Sequence, residues 1–367
     1  MTDDFECYVV DPAEKPSERA DILALLAKCG LDYELGVEAF VVFRRQRRLI
    51  ACIGLEANIV KCTAIDPELR GEALGLKLVT EVENLACERG LSHLFAYTSP
   101  DNLEFFRACG FYLLAEVPHL VALLENTPIG IRTYCDRLKR QRHDGQRIGS
   151  IVMNANPFTL GHRYLIEHAA AASDWLHVFA VGEDSSFISY RDRYALMEAG
   201  IRDFANVTLH PGSEYILSRA TFSAYFFKEK GIIGDCFTAI DLLVFRTYIA
   251  PALGITHRFI GTEPFCTTTN KYNKDMQHWL RVDSSAAPPI EVVEIERRTV
   301  DGVPISASLV RSLLAVDDFE HIARLVPPAT LALLRTNYRQ QRFSTEESAR
   351  PMAIACQDRE QQRMLTP

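Results

Sequence analysis

A short apolar run that breaks into a turn and then into a helical period constrains this chain more than anything else in it: Ile148 to Ala172, IGSIVMNANPFTLGHRYLIEHAAAA. Ile148–Met153 is brief and β-branched enough to be a buried strand. Asn154, Asn156 and Pro157 end that run, and from Leu160 onward Leu165, Ile166, Ala169 and Ala170 recur at helical spacing. The order is therefore strand, loop, helix. Thr159 and His162 fall in or beside the first helical turn, on one face, with Gly161 between them allowing another group close to the backbone. A helix start carries unpaired N–H groups and a partial positive charge, so it attracts phosphate. A threonine and a histidine there add donors that can follow charge onto a phosphoryl group. The stretch predicts a nucleotide site, with Thr159 and His162 as catalytic residues and Asn154, Phe158 and Gly161 lining it. The plainer reading, a capping threonine beside a solvated histidine, stays open on this spacing alone.

Far downstream, ISASLVRSLL (Ile305 to Leu314) repeats the pattern. Ser306 is placed as an N-cap, Leu309, Val310, Leu313 and Leu314 form an apolar face, and Ser308 and Arg311 share the other face at the helix start. Arg311 with Ser306 and Ser308 makes this a second helix start with phosphate-type donors; a solvated helix charge is the alternative. Between the two motifs strand and helix alternate. Ile148–Met153, Trp175–Val181, Val207–His210, His257–Gly261 and Ile290–Ile295 read as strands. Helical stretches lie at about Gly161–Ala172, Tyr190–Asp203, Arg219–Lys230, Asp241–Leu253 and Lys271–Arg281. That rhythm requires right-handed crossovers and a doubly wound parallel sheet, with ligands at the carboxyl ends of its strands. Gly261, Thr262 and Glu263 follow such a strand and are expected to line the nucleotide pocket, unless they form a plain Gly/Pro turn.

The region before residue 126 has a different character. Strand-like segments Ala39–Phe43, Leu49–Glu56 and Asn58–Ile65 follow a helix between Ser17 and Lys28, and a second helix covers about Leu76–Glu88, an α+β pattern. The join AIDPELRGEALGLKLVTEVENLA places Arg70, Gly71 and Gly75 at a strand-to-helix turn whose backbone N–H groups can cradle a pyrophosphate. A tight, glycine-rich helix entry is the alternative. His93 and Tyr112 are the available bases in this half, and both read as structural. The expected division is 1–125, a basic linker 126–147, a second domain 148–338, and a disordered tail 339–367. RRQRR at Arg44–Arg48 reads as a hairpin tip, solvated or else docking an acidic partner.

A chain of 367 residues, 48% hydrophobic and 24% charged, is ordinary for a globular protein and long enough for two cores. Its net charge of −8 argues against nucleic acid. No apolar run is long enough for a membrane span, and the acidic opening MTDDFE is unlike a secretory signal, so a cytoplasmic location is expected. The 10 cysteines are scattered with no CxxC and no Cys/His cluster, so neither disulfides nor a structural metal are expected.

TxGH and ISxSxxR together resemble the paired signatures of the HIGH-type nucleotidyltransferase superfamily. In that superfamily the first motif meets the α-phosphate and the second the β- and γ-phosphates. The match extends through SEYILSRATFSAYFFKEK and DLLVFRTYIAPALGITHRFIGTEPF, so that nearly the whole chain up to about Tyr338 resembles the citrate lyase ligase family. The Arg70–Gly75 turn with NLEFFRACGF (Asn102–Phe111) resembles the GCN5-related N-acetyltransferase (GNAT) fold and its coenzyme A loop. One departure is Ala73, where the loop usually has glycine. The resemblance implies an α/β chain, a GNAT-like domain followed by a Rossmann-like nucleotidyltransferase domain. It implies a ligase using ATP with nucleotide-borne Mg2+ and acetate, through acetyl-AMP. The acetyl group would pass to the phosphoribosyl-dephospho-coenzyme A thiol on the acyl carrier subunit of citrate lyase, with no tightly bound cofactor. An adenylyltransferase of a small coenzyme precursor, an N-acetyltransferase with an accessory domain and a non-catalytic nucleotide sensor remain the alternatives. A further expectation is that the GNAT-like domain holds the carrier's coenzyme A-like arm through Arg70, Gly71 and Gly75.

Overall fold

Period-two alternation along the amino-terminal strands buries both faces of one sheet. The computed structural model describes residues 5–34, 36–69, 73–182, 186–216, 232–263, 267–281 and 287–338. Arg70, Gly71, the helix expected at Arg219–Lys230 and the tail from 339 lie outside them. The described residues fall into two compact units, one reaching to Tyr134 and taking in the segment that ends at Ile240, the other comprising the rest. The first contains β1 (Glu6–Val10), α1 (Pro16–Lys28), β2 (Ala39–Arg45), β3 (Arg48–Glu56), β4 (Ile59–Ile65), α2 (Leu74–Glu88), β5 (Phe95–Thr98), α3 (Leu103–Ala108), β6 (Tyr112–Val117) and β7 (Val121–Glu125). Its sheet has seven strands in the order β1-β2-β3-β4-β5-β7-β6, with β4 and β5 parallel and the other pairs antiparallel. Phe40 and Val42 pack with Ile22, Leu25 and Leu26 of α1, while Val41 and Phe43 pack with Leu78, Val79 and Val82 of α2. The two helices therefore cover opposite faces.

Arg45 pairs with Arg48 across a two-residue turn in which Gln46 and Arg47 both take positive φ, the left-handed geometry that matches hairpin twist. The expected hairpin tip is there, and two of its four arginines are paired within the unit. Arg44 pairs with Glu18 and Asp21, and Arg48 with Asp66 and Glu68.

At the start of α2, Ala73 sits at φ 57°, ψ 12°. An L-residue there crowds its Cβ against the backbone, at a cost of about 1–2 kcal/mol that glycine escapes. This accounts physically for the glycine usual at that position. Ala73→Gly should raise the urea midpoint of unfolding, equivalent to about 1 kcal/mol, and an unchanged or lowered midpoint would show the strain to be relieved elsewhere. Gly75, buried at the start of α2, has a packing role: an added Cβ would lie 2.2 Å from the Phe105 ring of α3. A bulky residue at 75 would therefore disturb the core before it reached a ligand.

The stretch expected as an exposed basic helix or linker folds into α4 (Gly130–Lys139), with Ile131, Tyr134, Cys135 and Leu138 buried. Their spacing is an apolar stripe, hidden in the sequence by the arginines and lysine around it.

After α4 the chain continues with β8 (Ile148–Met153) and α5 (Leu160–Ala171). Next come β9 (Trp175–Ala180), α6 (Tyr190–Ile201), β10 (Val207–His210), α7 (Ile232–Val244), α8 (Ala250–Leu253), β11 (His257–Gly261), α9 (Thr267–Trp279) and β12 (Glu291–Ile295). A short hairpin, β13 (Thr299–Val300) and β14 (Val303–Pro304), then leads into α10 (Ala307–Ala315), α11 (Phe319–Leu325) and α12 (Pro328–Asn337). The strand order is β10-β9-β8-β11-β12, all parallel. The chain winds outward from β8 in one direction and returns to β11 on its other side, so the crevice between β8 and β11 is the topological switch point. Helix α7 starts at Ile232, earlier than the Asp241 that the periodicity indicated, and joins α8 through the wider π-turn Phe245–Ile249. No helix among the described residues is long and apolar enough to cross a membrane.

Two imidazoles are fully buried in this sheet, His177 Nδ1 lying 2.9 Å from His210 Nε2. Burial, with the neighbouring His210 and His143, pushes His177 down to about 3, and burial pushes His210 down to about 4. Folded-state values below the ordinary 6.5 mean that the unfolded chain takes up protons first as pH falls. Stability is therefore full above about pH 6.5 and is lost progressively toward pH 4, by up to about 2 kcal/mol for each ring at pH 5. Urea midpoints at pH 7 and pH 5 check this: the drop should shrink in a His177→Gln/His210→Gln protein, and an undiminished drop would place the acid sensitivity elsewhere.

Candidate active site

Thr159 is the N-cap of α5, with extended backbone (φ −116°, ψ 168°) and a side chain that accepts from the His162 amide at 3.3 Å. The box closes in return: the Thr159 amide donates to His162 Nδ1 at 3.0 Å, and the Thr159 hydroxyl lies 2.8 Å from the same nitrogen. Because Nδ1 accepts, the neutral ring carries its proton on Nε2. Burial, assisted by the positive charge of Arg297, pushes His162 down to about 4. At neutral pH His162 is thus an uncharged donor through Nε2–H. It can hydrogen-bond a phosphoryl oxygen but brings no net charge.

Thr159 is buried with its hydroxyl inside the capping box, where it orients the His162 ring. Phe158, expected to line the nucleotide, is fully buried. An added Cβ at Gly200 would lie 2.3 Å from its ring, and the ring stacks on His162 with centroids 5.7 Å apart. It is a backing plate for the histidine.

The loop between β8 and α5 is held from several directions. Arg193, fully buried on α6, donates to Asn154 O at 2.8 Å, Asn154 Oδ1 at 2.6 Å, Val181 O at 3.0 Å and Ile188 O at 3.1 Å. Asn154 Nδ2 reaches Ser186 Oγ at 3.2 Å, Asn156 Oδ1 accepts from the Ile188 amide at 3.0 Å, and Thr330 Oγ1 donates to Phe158 O at 2.9 Å. The Asn154 side chain, assigned to nucleotide binding, is thus engaged by the protein.

Ser306 caps α10, accepting from the Leu309 amide at 3.1 Å, and Ser308 Oγ stands 3.2 Å from Ser306 Oγ. The backbone of this segment lies against the start of α5: an added Cβ at Gly161 would be 3.2 Å from Ile305 O. Arg311 Nη1 donates to Asn156 O at 2.6 Å. The two motifs, remote in sequence, thus meet at the carboxyl end of β8.

Beyond β11, α9 pins the next turn. Asn273 Nδ2 donates to Gly261 O at 3.1 Å and Asn270 Nδ2 to Glu263 O at 2.9 Å. Arg297, just past β12, donates through its amide to Thr262 Oγ1 at 3.2 Å and through Nε to Thr262 O at 2.6 Å, and it forms an ion pair with the buried Glu263 carboxylate. Sequence points to Asn156 only as a turn residue and does not single out Arg193, Thr330 or Arg297. Only Arg297 had a signal, a cation just past the carboxyl end of a parallel strand.

A five-stranded parallel sheet with this order, with a capped histidine and an arginine-bearing helix start converging at its switch point, defines a nucleotidyltransferase-type domain, here preceded by an α+β unit of the acetyltransferase kind. The family model for the citrate lyase ligase C-terminal domain matches residues 148–334, and the acetyltransferase (GNAT) family model matches residues 6–111. The chain is 52% identical over 316 residues to the [citrate [pro-3S]-lyase] ligase of Escherichia coli (strain K12), covering 86% of this chain and 90% of that one. Against the Klebsiella pneumoniae ligase of the same name identity is 48% over 321 residues, covering 88% and 93%. Against that of Haemophilus influenzae it is 47% over 315 residues, covering 86% and 94%. The chain belongs to the citrate lyase ligase family.

Proposed function

We propose that this chain is the ATP-dependent ligase that activates citrate lyase, acting in the cytoplasm by acetylating the prosthetic-group thiol of the acyl carrier subunit. A carboxylate is a poor acyl donor because its leaving group would be oxide, so acetate must first be activated. An acetate oxygen attacks the α-phosphorus of ATP in line, the bond to the bridging oxygen breaks, and pyrophosphate leaves with its electron pair. Acetyl-AMP remains. The carrier thiol, as thiolate, then attacks the acetyl carbon and AMP leaves, giving the thioester.

The nucleophile of the first step is already an anion, so positioning and charge stabilisation carry the rate and little acid–base work is needed. Nε2–H of neutral His162 would donate to a non-bridging oxygen. Arg311, with Ser306 and Ser308, would hold the β- and γ-phosphates. Magnesium would arrive on the nucleotide, whose phosphates and waters suit its octahedral oxygen preference. The observation that carries the reading is the Arg311 hydrogen bond to Asn156 O, which joins the two phosphate-type motifs in one crevice.

Incubation with ATP, acetate and deacetylated citrate lyase tests it. AMP, pyrophosphate and restored lyase activity should rise together and depend on acetate. Pyrophosphate release that needs a phosphate-bearing acceptor in place of acetate would overturn the reading in favour of an adenylyltransferase.

A further inference from the structure

ATP and pyrophosphate carry several negative charges, and the motif residues bring little to meet them. His162 is neutral in this fold, so within the two motifs only Arg311 contributes a formal positive charge. A second cation stands in the same crevice. Arg297 follows β12, next to β11 in the sheet, and its field reaches the His162 ring. Its Nε is fixed on Thr262 O and its Nη2 on Glu263, an orientation that leaves Nη1, among the described residues, uncommitted. The Arg297 side chain is 25% exposed, whereas that of Glu263 is 8% exposed.

We propose that Arg297 is a further phosphate-binding residue of this site and that Glu263 is its placeholder counter-ion, holding the guanidinium until a polyphosphate takes over part of its charge. This rests on the nucleotide reading above and adds a residue outside the recognised motifs. A carboxylate alone beside a polyphosphate would repel it. Paired with Arg297 it keeps the empty crevice from carrying an uncompensated buried charge. An arriving phosphate competes with the carboxylate for the same planar fork, whose five donors serve two anionic partners at once.

The two members of the pair should therefore behave oppositely, which a plain structural strut between the turns after β11 and β12 would not. ATP binding to the full chain is measured by calorimetry at fixed ionic strength. Arg297→Gln should weaken ATP binding at least about 10-fold and flatten its salt dependence, Arg297→Lys should retain most of the affinity, and Glu263→Gln should tighten binding several-fold. If Arg297→Gln binds ATP as the wild type does, or if Glu263→Gln weakens binding as much as Arg297→Gln, the proposal is overturned. Should Arg297→Gln fail to fold, Arg297→Lys and Glu263→Gln decide by the same criteria, since loss of affinity in both would mean a strut. Arg311→Ala serves as the reference. If it weakens ATP binding while Arg297→Gln does not, only the role of Arg297 fails; if the wild type binds no ATP, the nucleotide reading itself fails.

Discussion

Arg311→Ala will lower acetate-dependent pyrophosphate release by about 100-fold or more while leaving the chain folded. A charge-assisted hydrogen bond contributes about 1.5–3 kcal/mol in ordinary settings, which alone is about 10- to 150-fold. In a crevice with little water, removal of one preorganised donor costs about 10²–10³ in turnover. Arg311 also holds Asn156 O at 2.6 Å, so its loss loosens the loop that leads into Thr159. Arg311→Lys separates the two contributions, since lysine keeps the charge and loses the planar fork. His162→Ala should also suppress turnover, by removing the Nε2–H donor, and should in addition lower stability by about 1 kcal/mol because the Thr159 amide loses its acceptor. Single-turnover pyrophosphate release in each variant, with circular dichroism as a check on folding, decides the matter. Near-wild-type rates in both would sink the assignment of the site.

The reach of the sequence differs element by element. β8 and α5 are legible because local rules agree there: a β-branched run, two asparagines and a proline, then a capping threonine. Ser306 is legible for the same reason. Its capping bond to Leu309 N needs only neighbours in the chain. β5, at four residues, is too short to show a period, and the buried run of β7 has no alternation to detect, so both escape a reading by pattern. The inward direction of the Phe158 ring is not legible, because motif proximity says nothing about which way a ring points. The buried face of α4 is hard to read because its apolar stripe is threaded among basic residues. Arg193 and Arg297 were out of reach for a different reason. An arginine in a sequence reads as a surface charge until the fold surrounds it with carbonyls or a carboxylate. These two residues arrange loops contributed by separate strands, and that role exists only after the sheet has assembled.

Arg193→Met is expected to produce the largest loss of stability of any substitution considered. The guanidinium is fully buried, and it joins Asn154, just past β8, to Val181 and Ile188, which follow β9 and precede α6. Methionine is close in length and fills part of the space, so the change isolates the hydrogen bonds from the packing. Three carbonyls, Asn154 O, Val181 O and Ile188 O, then lose the arginine as donor, while Asn154 Oδ1 keeps the Ser186 hydroxyl at 3.3 Å. Each buried group left unpaired costs about 1–3 kcal/mol, and local relaxation with water entry recovers part of it, so a net loss of about 3–5 kcal/mol is expected. Arg193→Lys should recover only a fraction, because one ammonium cannot span carbonyls in three directions. Urea denaturation provides the stability. Where the lysine variant still folds, kcat for pyrophosphate release should fall more than KM for ATP rises, since a displaced Asn154–Thr159 loop misaims His162 while Arg311 still attracts the nucleotide. A methionine variant within about 1 kcal/mol of wild type would mean that the carbonyls find other donors. Unchanged kcat in the lysine variant would mean that the loop keeps its shape without the arginine fork.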